Sequence, residues 1–186
     1  MTETTSDKAE LRRALLAKRQ AIPDEVRALW NALIGTRVMA WWNANPVGTL
    51  GVYWPIRREP DLRDTYEMLA AHGVRLALPA VVAPDAPLVF LAWEAGAPLV
   101  KDKLGVMMPA RRVEIEPDAL LVPCVGFNAA KFRLGYGGGF YDRTLAGPAR
   151  PVAVGISYAC CEAVFAGDAH DVALDAVITE ESELGY

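Results

Sequence analysis

The stretch "RLGYGGGFYDR", residues 133–143, contains the residues of this chain whose types and spacing are best suited to chemistry. Four of the five positions from Gly135 to Gly139 are glycine. Glycine loses the most conformational freedom on folding, so such a run is unfavourable unless the backbone must approach something closely. Phosphate groups are the usual ligands of glycine-rich loops, and the stretch therefore predicts an anion-binding loop. The alternative is a tight turn that needs a positive φ, for which one glycine is enough.

Two common nucleotide-binding patterns do not match this loop. Phe140 occupies the position of the third glycine in a dinucleotide-binding G-x-G-x-x-G pattern, and the GxxxxGK[ST] pattern does not occur in the chain. Arg133 and Arg143 flank the loop, and Lys131 is near. These cations could bind phosphate oxygens, although each could also be an ordinary solvated side chain.

A metal in this protein would be bound by oxygen ligands, because the chain has only two histidines and cannot form a multi-histidine site. Oxygen ligands favour a hard ion such as Mg²⁺. Asp142 follows the loop and is interpreted either as a magnesium ligand beside bound phosphates or as a helix-capping residue. Asp168, Asp171 and Asp175 form a second acidic cluster, for which solvation and turn formation are the ordinary roles. Since Asp175 opens the last predicted strand, we expect it to be able to reach the ligand edge of the sheet.

Two further pairs are candidates for binding. Lys8 and Arg12 are four residues apart on a predicted helix and could clamp a polyphosphate, but the residues alone favour a solvated basic stripe that continues to Arg19. Trp54 and Glu59 follow a predicted strand. An aromatic ring with a carboxylate suits a flat heteroaromatic ligand with ring N–H donors, although Trp54 could equally belong to the core.

The elements that must position these residues alternate between strand and helix. Asp7 and Glu10 predict a capping box for a first helix that ends near Gln20, and Pro23 predicts the first turn of a second helix that ends at Asn45. Further helices are predicted over 61–73, 141–147 and near 160–166, and strands over 49–55, 74–79, 87–93, 119–127, 151–157 and 175–179. This order predicts one three-layer α/β/α, Rossmann-like domain over residues 1–186, with a mostly parallel sheet and the glycine loop at its carboxyl edge.

The composition indicates which classes of partner the protein is expected to bind. The net charge of −4 gives no general attraction to nucleic acid or anionic membranes, and no apolar run is long enough to span a bilayer. The polar N-terminus lacks the apolar core of a signal peptide. We therefore expect a cytoplasmic monomer that binds small molecules. The three cysteines form no CxxC pair and are expected to be buried or half-buried thiols, with a strained vicinal disulfide between Cys160 and Cys161 as the alternative.

Several segments in order resemble the 5-formyltetrahydrofolate cyclo-ligase family, also called the methenyltetrahydrofolate synthetases. They are "KAELR", "VYWPIRREPDL", "LLVPCVGF", "RLGYGGGFYDR" and "HDVALDAVITE", which together extend over nearly the whole chain. The resemblance implies that 5-formyltetrahydrofolate and ATP are converted, with Mg²⁺, into 5,10-methenyltetrahydrofolate, ADP and phosphate. In that reaction ATP phosphorylates the formyl oxygen, N10 attacks the resulting carbon, and phosphate leaves; no protein nucleophile is required.

The resemblance also implies roles for single residues. Lys8 and Arg12 would contact ATP, Trp54 and Glu59 would contact the pterin, and Asp142 and Asp175 would hold magnesium. The nucleotide would also contact Arg133, Leu134, Gly135, Tyr136, Gly137, Gly138, Gly139, Phe140 and Tyr141, of which residues 136–140 would contact the folate too.

Four positions depart from the family pattern: Cys124 for glycine, Asn128 for aspartate, Met108 for glutamate and Cys161 for glutamine. The departures leave two alternatives to the cyclo-ligase. One is a non-catalytic protein that binds ATP or folate, and the other is an ATP-dependent enzyme that acts on another N-formyl heterocycle.

Overall fold

Two helices open the part of the chain that the computed structural model describes, which is residues 5–102 and 105–182. They are α1 (Thr5–Gln20) and α2 (Asp24–Ala44). Pro23 directly precedes α2 with φ −58°, the value that its ring fixes, and α2 ends before Asn45–Pro46 as predicted. The capping box at Asp7 is wrong, because Asp7 lies inside the first turn of α1. Residues 1–4 of the polar N-terminus lie outside the described residues.

Within the described residues, ten strands and two more α-helices follow, with one 3-10 turn, Ala159–Cys161. In chain order they are β1 (Thr49–Gly51), α3 (Arg63–Ala71), β2 (Arg75–Ala80), β3 (Val89–Trp93), β4 (Leu99–Lys101), β5 (Met107–Pro109), β6 (Ala119–Pro123), β7 (Gly126–Phe127), β8 (Arg133–Leu134), α4 (Phe140–Leu145), β9 (Val152–Ile156) and β10 (Ala176–Ile178). The main sheet has the order β10-β9-β6-β1-β2-β3. Only the β2–β3 pair is antiparallel, so the predicted, mostly parallel sheet is confirmed.

Both faces of this sheet are buried, as expected for parallel strands. Along β6, Ala119 and Leu121 belong to one hydrophobic cluster, whereas Leu120 and Val122 belong to another. The first cluster includes side chains of α1, α2 and α3, for example Leu15, Ile34, Val38, Tyr66 and Leu69. The second includes Leu145 of α4 and Leu174. Helices therefore cover both faces, which confirms the three-layer α/β/α fold; the one-domain boundary at 1–186 stays a prediction.

The predicted strand over 119–127 is two strands in different sheets. β6 ends at Pro123, while β7 pairs with β8 in a separate two-stranded sheet. The predicted helix near 160–166 is only the turn at Ala159–Cys161, because Glu162 has an extended backbone. The short β4–β5 pair was not predicted. Among the described residues, no helix combines the length and apolar character needed to cross a bilayer.

Candidate active site

A cavity of about 550 Å³ lies at the carboxyl edge of the main sheet, within the size range of small-molecule sites. Its floor contains residues at or just beyond the ends of parallel strands, such as Tyr53 after β1, Val81 after β2 and Pro123 of β6. The glycine loop forms one wall, at the edge where it was predicted. Of the residues to which the family resemblance assigns a role, all except Asp175 border the cavity: Lys8, Arg12, Trp54, Glu59, Arg133, Leu134, Gly135, Tyr136, Gly137, Gly138, Gly139, Phe140, Tyr141 and Asp142.

The glycines of the loop are needed for two different local reasons. Gly137 has φ +97° and Gly139 has φ +64°, values that side-chain-bearing residues rarely adopt. A Cβ on Gly135 would lie 2.5 Å from Nη1 of Arg133, and one on Gly138 would lie 2.8 Å from the ring of Phe140. A Cβ on Gly137 would have Cζ of Arg12 as its nearest neighbour, at 3.9 Å. Positive φ thus accounts for two of the glycines, and close packing accounts for the other two.

Helix α1 supplies two cations to the cavity. Lys8 is only 8% exposed, and its Nζ donates to Oδ2 of Asp168 at 2.7 Å and Oδ2 of Asp171 at 3.0 Å. Burial lowers the pKa of Lys8, but its bonds to the two aspartates outweigh this, so the pKa is raised and Lys8 is charged. Arg12 donates from Nε to the carbonyl oxygen of Gly135 at 2.8 Å. A solvated basic stripe is therefore the wrong interpretation of this pair.

Beside the loop, the buried Arg133 forms an ion pair with the half-buried Asp142. Nη2 of Arg133 donates to Oδ2 of Asp142 at 2.9 Å, and the Arg133 guanidinium lies 5.2 Å from the centroid of the Tyr141 ring. The other oxygen of Asp142 accepts from the backbone N–H of Val172 at 3.4 Å. The capping interpretation of Asp142 is wrong, because Gly139 occupies the N-cap position of α4.

The other two cations that were predicted to bind phosphate, Arg143 and Lys131, do not point into the cavity. Nη2 of Arg143 donates to the carbonyl oxygen of Gly138 at 2.6 Å, so this side chain supports the loop from behind. Nζ of Lys131 donates to the carbonyl oxygen of Asp175 at 2.9 Å. Neither residue borders the cavity.

Asp175 lies at the opposite edge of the sheet, so the prediction that it reaches the ligand edge is wrong. A residue that opens a parallel strand lies at the amino end of that strand, and Asp175 directly precedes β10. Its Oδ2 accepts from the backbone N–H of Ala153, near the start of β9, at 2.7 Å, and it pairs with Arg150. Asp168 and Asp171 lie at the cavity instead. The predicted turn formation is confirmed for these two, since the N–H of Asp168 donates to Oδ2 of Asp171 at 2.8 Å, but both also bind Lys8, so solvation is not their only other role.

Trp54 and Glu59 lie on the loop between β1 and α3. Glu59 is 2% exposed; its Oε2 accepts from the N–H of Ile56 at 2.9 Å and its Oε1 accepts from the hydroxyl of Tyr136 at 2.7 Å. Burial raises the pKa of Glu59, while these hydrogen bonds and the charges of Arg19 and Arg57 oppose the rise. Trp54 is half-buried and packs edge-on against Trp93, with ring centroids 6.0 Å apart.

Arg19 was missed as a site residue. It is 1% exposed and bonds to Tyr136, whereas the sequence interpretation placed it in a solvated stripe. Its position contained a usable signal, because Lys8, Arg12, Leu15 and Arg19 are spaced by four, three and four residues and share one face of α1. Leu15 on that face is buried, so the face points inward.

The four departures from the family pattern do not border the cavity. Asn128 donates from Nδ2 to the carbonyl oxygen of Phe165 at 2.8 Å, a bond that an aspartate carboxylate could not donate, and accepts from the N–H of Phe132. Met108 is half-buried in β5. Cys124 and Cys161 are buried free thiols, but Cys160 is exposed, which contradicts the expectation for that residue.

A magnesium ion would have to share its ligands between the protein and a phosphate. Within residues 5–102 and 105–182, no group of three or more His, Cys, Asp or Glu side chains could hold a metal. Asp142 presents a carboxylate at the cavity whose two oxygens each accept one hydrogen bond and keep a further lone pair. Mg²⁺ is commonly bound by one or two carboxylates together with substrate phosphates, so this arrangement fits it.

Comparison with known proteins shows a consistent set of relatives. Residues 4–180 match the model of the 5-formyltetrahydrofolate cyclo-ligase family. A 5-formyltetrahydrofolate cyclo-ligase of Mycoplasma pneumoniae is 30% identical over 94% of this chain and 99% of its own length. Two solved 5,10-methenyltetrahydrofolate synthetases are similar in structure. That of Mycoplasma pneumoniae has a TM-score of 0.79 and 29% identity, over 94% of this chain and 99% of the other. That of Aquifex aeolicus has a TM-score of 0.81 and 26% identity, over 94% and 90%.

Proposed function

Because the chain belongs to the 5-formyltetrahydrofolate cyclo-ligase family, we propose that it converts 5-formyltetrahydrofolate and ATP into 5,10-methenyltetrahydrofolate, ADP and phosphate. The observation that carries this proposal is the composition of the cavity. Its lining combines cations and glycine backbone, which suit a polyphosphate, with an aromatic ring and a buried carboxylate, which suit a pterin. The protein would act on these small molecules as a one-domain monomer in the cytoplasm.

The nucleotide side would be formed by α1 and the glycine loop. Lys8, Arg12 and Arg133 place positive charge at the cavity, which residues 135–139 also border. Charge-assisted bonds to phosphate oxygens are stronger than neutral ones, and a glycine backbone lets those oxygens approach. Lys8 and Arg133 are held by aspartates, so their positions are set before a ligand binds.

The folate side would be formed by the β1–α3 loop and Tyr136. The ring of Trp54 offers an apolar surface for the flat pterin, and the carboxylate of Glu59 accepts from ring N–H donors. Glu59 retains lone pairs for this, since each of its oxygens accepts one internal hydrogen bond.

The protein would contribute positioning and charge neutralisation to the reaction. The formyl oxygen attacks the γ-phosphorus and ADP leaves. N10 then bonds to the formyl carbon and loses its proton, the C–O bond breaks, and phosphate leaves with that proton as the ring closes. An amide-like oxygen is a poor leaving group until it is phosphorylated, which is why ATP is consumed. Asp142 would hold Mg²⁺, which offsets the charge of the triphosphate when it is bound.

The structure gives less support to one of the two alternative functions, the non-catalytic binding protein, than to the other. A non-catalytic binder was considered because of Asn128 and Cys161, and neither residue borders the cavity. An enzyme for another N-formyl heterocycle differs only in the ligand that Trp54 and Glu59 would accept, so it needs a direct test.

The test is an assay of the purified protein with 5-formyltetrahydrofolate, ATP and Mg²⁺, in which methenyl absorption and ADP are measured together. We expect one ADP for each methenyl product, and no product without ATP. Binding of both ligands without turnover would identify a binding protein. ADP formation only with a different N-formyl compound would identify the other enzyme.

A further inference from the structure

We propose that Arg19 is a positioning residue that fixes the folate side of the cavity by joining the two chain segments that form it, the β1–α3 loop and the glycine loop, to the end of β6. The inference rests on the proposed function, because it concerns the site assigned there to the pterin. Arg19 itself does not border the cavity. It therefore acts through the groups that it binds.

The guanidinium of Arg19 is buried and contacts three segments that are far apart in sequence. Its Nε donates to the carbonyl oxygen of Arg57 at 3.0 Å, on the β1–α3 loop. Its Nη2 donates to the hydroxyl of Tyr136 at 2.7 Å, on the glycine loop, and its Nη1 makes a longer contact, 3.4 Å, to the carbonyl oxygen of Cys124 beyond β6. A planar fork of five N–H donors can bind in these separate directions, whereas a lysine ammonium cannot reach all three.

The segment that contains Arg57 needs such support. Arg57 has φ +46° and Arg58 has φ +59°, two consecutive side-chain-bearing residues in the left-handed region. Each such residue is unfavourable and persists only where its surroundings hold it. Arg19 holds the carbonyl of Arg57, and Glu59 accepts from the N–H of Ile56. This turn places Glu59 at the cavity.

Arg19 also fixes the direction of a hydroxyl proton. Arginine has donors and no acceptor, so the Tyr136 oxygen must accept from Arg19. The proton of Tyr136 is then directed to Oε1 of Glu59, 2.7 Å away. Glu59 is thereby kept as an acceptor, which is the form that can bind the ring N–H donors of a pterin.

The charge of Arg19 favours the same form. Burial raises the pKa of Glu59, and Arg19 and Arg57 are the cations that oppose it. The other titratable groups that face Glu59 are Tyr136, Tyr53, Tyr66, Tyr141 and Cys124. Burial raises the pKa of each of these, so they are neutral in the acid range. Removal of Arg19 should therefore raise the pKa of Glu59 further.

The experiment compares Arg19→Met, Arg19→Lys and Tyr136→Phe with the wild-type enzyme. We expect Arg19→Met to raise KM for 5-formyltetrahydrofolate roughly tenfold, as for a lost buried charge-assisted bond, and KM for ATP less than about twofold. In the pH profile of kcat/KM, the acid limb, which reports the protonation of Glu59, should move to higher pH. Arg19→Lys keeps the charge, so its acid limb should stay near that of the wild type while KM recovers only in part. Arg13→Met, an exposed position on the same helix, is the matched control and should change none of these quantities.

Equal increases in KM for both substrates, or an unchanged acid limb, would overturn the inference, because a general structural role predicts them. If Arg19→Met does not fold, Tyr136→Phe decides, since Tyr136 is 39% exposed and its hydroxyl, which accepts from Arg19 and donates to Glu59, is the link between the two. An unshifted acid limb in that variant also overturns the inference. If the wild-type protein forms no methenyl product, the proposed function fails. The role of Arg19 is then tested separately, by measuring the binding of 5-formyltetrahydrofolate alone through tryptophan fluorescence. Weaker binding by Arg19→Met would then support its role, and equal binding, or none by the wild type, would overturn it.

Discussion

Charged side chains at the cavity pair with groups of the same chain before any ligand binds. Lys8 lies between Asp168 and Asp171, and Arg133 lies against Asp142. A buried unpaired charge is costly, so these pairs allow the cations to stay at the site. A phosphate ligand must therefore compete with carboxylates, and a divalent cation between phosphate and carboxylate removes their repulsion. This arrangement makes Asp142 the residue at which a metal role and a structural role can be separated.

The variant Asp142→Asn keeps the size of the side chain and an acceptor for Arg133 but removes the charge. We expect the Mg²⁺ concentration for half-maximal activity to rise at least about tenfold, since even indirect metal partners have effects of this size. The measurement is a magnesium titration of activity at saturating ATP. Asp175→Asn is the control, because Asp175 lies at the other edge of the sheet. Asp168 is unsuitable as a control since it binds Lys8. An unchanged magnesium requirement would rule out Asp142 as a ligand.

The three thiols should react at very different rates. Cys160 is exposed, and a hydrogen bond from Cys161 lowers its pKa to about 7. Burial raises the pKa of Cys124 to about 12, and that of Cys161 is raised by its bond to Cys160 and by burial. Since the thiolate is the nucleophile, native protein at pH 8 should take up one iodoacetamide quickly, at Cys160. Peptide mass spectrometry checks the position, and Cys160→Ser should abolish the fast phase. Fast labelling of either buried thiol would contradict the expectation.

At the scale of elements, helix α1 and the glycine loop form most of the proposed nucleotide side of the cavity. Gly137→Ala tests the loop, because Gly137 has φ +97° but space for a methyl group. Gly73→Ala is a matched control: Gly73 has φ +86°, lies after α3 and has no heavy atom within 4 Å of the added Cβ. Both variants should lose up to about 1–2 kcal/mol of unfolding free energy. ATP affinity, measured by calorimetry, should fall roughly tenfold in Gly137→Ala alone, because Gly137, unlike Gly73, borders the cavity where the phosphates are proposed to bind. Equal affinities would contradict a phosphate-binding backbone.

The sequence predicted the long, periodic helices and strands. It did not predict the short strand pairs or the burial of Arg19, which depend on contacts between segments. Helix α2 and strands β2, β6 and β9 follow from apolar patterns and proline stops, which are local signals. The break of 119–127 at Pro123 was missed because β7 and β8 pair over only two residues each, too few to give an alternating pattern. The error at Asp175 had a different origin, since strand direction alone places an opening residue at the amino end. Arg19 was visible as a helical face, but its burial depends on three loops that close over it.

For the whole molecule, the sheet brings distant segments to one edge. The N-terminal helix, the loop after β1, the glycine loop and residues 168–171 all border one cavity, although they extend over most of the chain. Ligand binding must therefore stabilise the fold as a whole and not one loop. This follows from linkage, because the unfolded chain holds none of these segments together.

Thermal unfolding tests this linkage together with the expected class of partner. ATP with Mg²⁺ at about one hundred times its Kd should add about 2.7 kcal/mol to the unfolding free energy. For a chain of this size, each kcal/mol raises Tm by about 2–4 °C, so we expect a rise of about 5–10 °C by differential scanning calorimetry. Arg12→Met should show a smaller rise at the same ATP concentration, since Arg12 borders the cavity beside Gly135. A single-stranded oligonucleotide at equal phosphate concentration should give no rise, because the net charge of −4 offers no general attraction to a polyanion and the cavity is only about 550 Å³. A comparable rise with the oligonucleotide would show that the cations of α1 serve nucleic acid and not a small nucleotide.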